Sequence, residues 1–215
     1  MEAGSSLTPR RSAPVRNKVP SSIHRSLFIG AVAVIGIFST DAAVAADSRD
    51  SAIVTTITED TIELTVPASA ILLRIPKGGL LLAEKTRIGA QASPTYFHLE
   101  DLRRGLVVSG WFEPAAAFKG FESFWAGEFA AMKQSGLIPA EPPTSVAVGN
   151  WSGAAYEIPM PNGVGKGVNT HIRAELIKAG TWIDLHISVT SDKAVTAARS
   201  EALEFLKSIV VNEKH

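Results

Sequence analysis

"THIRAELIKAGTWIDLHISVT", residues 170–190, decides how the chain is read. Ile172, Ala174 and Leu176 alternate with His171, Arg173 and Glu175. After Ala179-Gly180 the pattern resumes, with Ile183, Leu185 and Ile187 alternating with Asp184, His186 and Ser188. Apolar residues at every second position mark a strand with one face in a core. A two-residue turn at Ala179-Gly180 pairs Leu176 with Ile183, Ala174 with Leu185 and Ile172 with Ile187, so every apolar side chain falls on one face. A slip by one residue would send the whole set to the other face. The opposite face then carries Arg173 beside His186, Glu175 beside Asp184, and His171 beside Ser188.

Asp184, His186 and Ser188 have the residue types of a hydrolytic triad but not its spacing. Alternate side chains on one strand stand ~6.6 Å apart at ~3.3 Å per residue. A nucleophile and its base need hydrogen-bond contact. The tight G-x-S-x-G turn that presents a nucleophilic serine is absent. No catalytic residue is assigned. His171 and His186, diagonal across the hairpin, could join Asp184 in holding zinc or copper. Arg173 projects into the same patch, opposes a cation, and can instead bridge Glu175 and Asp184. The expectation is therefore a charged face, solvated or covered by a helix.

Residues 1–46 read as an address. Arg10, Arg11, Arg16, Lys18 and Arg25 precede the apolar "LFIGAVAVIGIF" (27–38), and "AAVAA" (42–46) supplies small residues for cleavage after Ala45 or Ala46. That is the secretory pattern. The 12-residue apolar run is short of the ~20 residues of a spanning helix, so no membrane span is expected after cleavage. Removing the leader takes away five basic and two acidic residues, which leaves 16 basic, 19 acidic and a net charge of −3. With no basic stripe, nucleic acid is not an expected partner. The chain has no cysteine, which excludes disulfides, thiolate nucleophiles, iron–sulfur clusters and a lipid-anchored cysteine. Residues 47–215 suit one domain resting on its core.

Along that domain, 52–58 and 61–66 read as a hairpin about Glu59-Asp60. Residues 70–75 are a third strand. Residues 80–93 are ambiguous, and 95–99 with 105–112 form a second hairpin. Phe118, Phe121, Trp125, Phe129 and Met132 recur at three and four, the stripe of a helix, with Gly136 ending it. Residues 145–158 return to strand. "GVGKG" (163–167) lacks the Ser/Thr and following helix of a phosphate loop and reads as a hairpin loop. Ser191 or Asp192 is expected to cap a last helix with Val195, Ala198, Ala202, Phe205 and Ile209 on one face. Phe121, Phe129 and Phe205 are expected to be buried. Trp111 and Trp151, if exposed, could line a groove, and with Arg173, Asp184 and His186 they make the candidate ligand or partner set.

The element order, with "LLRIPKG" (72–78), "GWFEP" (110–114), a Phe-rich helix and a closing "ALEFLKSIVV" (202–211), resembles the Mog1/PsbP-like fold over about residues 60–211. The resemblance implies an α+β chain, an antiparallel sheet packed between a helix of its N-terminal half and a C-terminal helix. It also implies an accessory or binding protein, since that family includes a small-GTPase partner, a photosystem accessory protein and bacterial periplasmic proteins. The expected function is thus a periplasmic or secreted, non-enzymatic binding protein of the bacterial cell envelope. The alternative is a periplasmic metal-binding protein or hydrolase using the polar face of the 170–190 hairpin.

Overall fold

The computed structural model describes residues 52–83, 92–160, 167–192 and 194–214. The leader, its cleavage site and the centre of the 159–169 loop lie outside them, as does most of the ambiguous 80–93 stretch.

The fold is α+β and its sheets are antiparallel throughout. Eleven strands among the described residues form two sheets. In the smaller, β1 (Val54–Ile57), β2 (Thr61–Thr65), β3 (Ile71–Pro76) and β11 (Val210–Glu213) stand in that order. In the larger, the order is β4 (Leu81–Leu82), β5 (Tyr96–Asp101), β6 (Leu106–Pro114), β10 (Thr181–Ser191), β9 (Val168–Lys178), β8 (Trp151–Pro159) and β7 (Thr144–Val148). The expected single sheet between two helices is thereby corrected to two sheets.

The decisive hairpin has the register its alternation required. Leu176 faces Ile183, Ala174 faces Leu185, and Ile172 faces Ile187. Ala179 and Gly180 both take positive φ, 44° and 75°, the conformation of a two-residue turn whose twist matches the strands. β9 and β10 lie inside the large sheet with both faces covered. On one face Ile172, Ala174, Ile183 and Leu185 share a single core with Ile62, Leu64, Leu73 and Ile75 of the small sheet. Ala198, Ala202, Phe205 and Leu206 of α2 (Val195–Ser208) complete that core. Arg199 of α2 forks onto Glu157 of β8, with Nε and Nη2 donating at 2.9 and 2.7 Å.

The other face of the hairpin lies beneath α1 (Phe121–Gln134). This helix ends at Gly136, φ 70°, as its sequence required. Its aromatic stripe stands on the sheet's own rings: Phe124 on Trp182 at 5.9 Å and Trp125 on Tyr156 at 5.3 Å between centroids. Phe121 and Phe129 are only half-buried, because they flank this contact; Phe205 is buried as expected.

Three further readings are corrected. Residues 145–158 are not one strand but the β7–β8 hairpin, which folds back at Gly149, φ 57°. β10 runs to Ser191 and α2 starts at Val195, with no side-chain cap at Ala194. The helix ends at Ser208, and "VV" pairs with β3 as β11, Val211 opposite Leu73. Lys178 at the end of β9 donates its ammonium to the carbonyl of Val211 at 3.2 Å.

Candidate functional site

The polar face of the hairpin is a closed compartment rather than a wet surface. Arg173, Glu175, Asp184 and His171 are all buried, and Arg173 is only 1% exposed. Strand alternation brings them together. Asp184 lies opposite Glu175 on β9 and Trp111 on β6, and Tyr156 of β8 lies opposite His171.

Arg173 is the centre. Its Nη2 donates to Asp184 Oδ2 at 2.7 Å and stands 3.6 Å from Glu128 Oε2 of α1. Its guanidinium carbon sits 5.2 Å from the ring centre of Phe124 and 5.9 Å from that of Trp111. A cation walled by aromatic faces and carboxylates is the arrangement that binds organic ammonium ligands. Here the chain's own Arg173 occupies it. Trp182 Nε1 donates to Glu175 Oε2.

Three carboxyl groups, Glu128, Glu175 and Asp184, surround this one guanidinium. Burial pushes the Glu175 carboxyl well above its usual range, and the neighbouring Asp184 adds to this. Burial also raises Asp184 to about 6, opposed by Arg173. The histidines shift the other way. Burial and then Arg173 bring His171 down to about 3. Burial, with His171, Arg173 and His98 adding to it, holds His186 well below the usual imidazole range. The two rings stack 5° from parallel behind Tyr156, and a hydrogen bond joins the two imidazoles, with His171 Nδ1 and His186 Nε2 2.9 Å apart.

The expected metal set is therefore not brought together as one. His171 and His186 spend a nitrogen on each other, and Asp184 is held by Arg173. Among the described residues no group of three or more His, Asp or Glu side chains is arranged to hold a metal ion. Nor do Asp184, His186 and Ser188 converge, because Ser188 Oγ donates to Asn169 Oδ1 at 2.8 Å instead.

The two tryptophans part company. Trp111 packs on Tyr96, centroids 4.6 Å apart, on the compartment side. Trp151 belongs to the main core on the opposite side, so they line no common groove. Trp151 does form part of the wall of an outward-opening cleft of about 280 Å3 between β8, β9, the end of α2 and β11. Leu176, Leu206 and Ile209 make its apolar lining, with Lys178 and Lys207 also contributing.

Sequence reasoning missed Glu128 and Tyr156. A signal for Glu128 existed. It stands four residues after Phe124 and four before Met132, so a charge occupies the apolar stripe of α1. Tyr156 was hidden because 145–158 was read without its turn.

No family model matches the chain, and no curated protein matches it. Among solved structures it is similar to a protein from Bacteroides thetaiotaomicron VPI-5482, known from a crystal structure at 1.50 Å resolution. The two are 11% identical, the TM-score is 0.36, and the match covers 67% of this chain and 46% of that one. The chain thus spans under half the length of that protein, and a likeness of this degree assigns neither fold family nor function.

Proposed function

We propose that this chain is an exported accessory protein of the bacterial cell envelope, periplasmic or secreted, that binds a ligand without converting it. One observation supports this above the rest. Arg173, Glu175, Asp184 and His171 are buried on the α1 side of the sheet, whereas the Trp151 cleft opens outward. Enzyme sites need convergent polar groups in an accessible pocket; an apolar cleft suits recognition. The leader pattern supports export. The resemblance to Mog1/PsbP-like proteins is compatible with an accessory role, by analogy of element order alone.

The lining points to a small ligand with an apolar body and an anionic end. Val148, Val210 and Val211 would take the body, over a floor formed by Trp151, Leu176, Leu206 and Ile209. Lys207 bonds Glu204 at 2.6 Å on an exposed surface, and such pairs are worth little, so its ammonium can turn to an incoming anion. The test is titration with octanoate, followed by tryptophan fluorescence. A saturable change that disappears in Trp151→Phe and weakens in Lys207→Ala supports the reading. No saturable change with octanoate overturns the ligand, and N-terminal sequencing of the exported form that begins at Met1 overturns cleavage.

A further inference from the structure

We propose that Glu175 and Asp184 hold one proton between them, and that this shared proton keeps α1 closed over the large sheet. An ionised carboxylate only accepts hydrogen bonds. Glu175 and Asp184 are direct partners across the β9–β10 ladder, which sets their side chains next to each other on the same face of the sheet. Each already uses one oxygen elsewhere: Glu175 Oε2 accepts from Trp182, and Asp184 Oδ2 accepts from Arg173. The other two, Glu175 Oε1 and Asp184 Oδ1, are buried and accept no hydrogen bond from the described residues. A proton carried by one carboxyl supplies the missing donor. A buried acceptor left without a donor carries the full desolvation cost of that group.

The charges facing the pair come from every element around it. β9 contributes Arg173 and a neutral His171, β10 a neutral His186, and α1 Glu128. Tyr156 of β8 and Glu113 of β6 also act on Asp184 or feel its charge. With the proton in place Arg173 answers two carboxylates, Asp184 and Glu128. Without it there are three. Glu175 and Asp184 are fixed in the ladder and cannot leave. Glu128 can: its contact with Arg173 is the longer one, 3.6 Å against 2.7 Å. Its helix is bounded by Gly120 and Gly136, which have nothing packed where a Cβ would stand. Loss of the proton therefore pushes Glu128 outward and lifts α1.

The experiment is amide hydrogen exchange of α1 in the full chain between about pH 6 and pH 9, corrected for intrinsic rates. Protection should fall about tenfold per pH unit above the titration of the pair, as a one-proton linkage requires. Glu175→Gln, whose side-chain amide donates to Asp184 as the protonated acid does, should keep α1 protected throughout. Glu128→Gln should also remove the pH dependence, yet retain the infrared carbonyl band of a protonated carboxylic acid, which Glu175→Gln loses. Absence of that band in the wild-type chain at about pH 7 would overturn the shared proton, whether or not the variants fold. Protection that falls equally in wild type and Glu175→Gln would overturn its control of α1.

Discussion

At Arg173 nearly everything on the compartment side meets, so single substitutions there separate charge from packing. Arg173→Met fills much of the volume but leaves the surrounding carboxyls without their cation. Breaking a buried pair on one side costs about 3–5 kcal/mol, and urea denaturation of that variant should show a loss of this size. Ser188→Ala is milder. Ser188 is buried and donates to Asn169, so the loss should be about 0.5–1.5 kcal/mol rather than nothing, as a solvated serine would give. The sign of the acid dependence follows from Asp184. Its folded value of about 6 lies above the 3.8 of a free aspartate, so the unfolded chain releases its proton first. Stability from this group falls as pH rises from about 4 to about 6, by up to about 1.4 kcal/mol per unit. Thermal melts across that window should show a decline that Glu175→Gln flattens. Much at this scale was legible in the sequence. The neighbours of Arg173 on the hairpin followed from alternation alone. Glu128 did not, because which turn of a helix lies over which strand is set by tertiary packing that no local period encodes.

The elements differ in how fully their own residues specify them. The β9–β10 turn is specified but strained. Ala179 sits at φ 44°, where a Cβ is disfavoured by ~1–2 kcal/mol. Ala179→Asn, which gives the Asn-Gly pair preferred in such turns, should raise stability by about 0.5–1 kcal/mol in the same denaturation assay. The two helices should answer truncation unequally. Phe205→Ala opens the main core and should cost about 3–5 kcal/mol. Phe129→Ala, on a half-buried ring, should cost distinctly less, and equal losses would mean that α1 packs more deeply than described. The tail of α2 was misread for an identifiable reason. "LEFLKSIVV" keeps a helical period through Ile209, and only the β-branched Ile-Val-Val run favours a strand. What settles it is β3, whose open edge takes Val210–Glu213. A Gly-Asn turn of similarly low contrast concealed the division of 145–158 into β7 and β8.

At the scale of the molecule, one core runs through both sheets and α2, so the small sheet has no interior of its own. Tryptophan fluorescence and far-ultraviolet circular dichroism should therefore lose signal together on denaturation, in one transition. Two separated transitions would mean that the sheets unfold as independent units. The α+β class was readable because alternation and helical period were both strong. The second sheet was not, since β1, β2, β3 and β11 come from opposite ends of the sequence and nothing local announces that they meet.

The bond from Lys178 to the Val211 carbonyl has a consequence between molecules. β11 is the outer strand of the small sheet, and an outer strand is a template on which a second copy can add its own. Growth of that kind needs the carbonyls along the strand to be available, and here an ammonium from the neighbouring sheet already occupies one of them. Lys178→Met should leave folding nearly unchanged, yet shorten the lag before fibrils form in concentrated solution, as thioflavin fluorescence would register. In that respect one lysine at a hairpin end works as a stop against polymerisation.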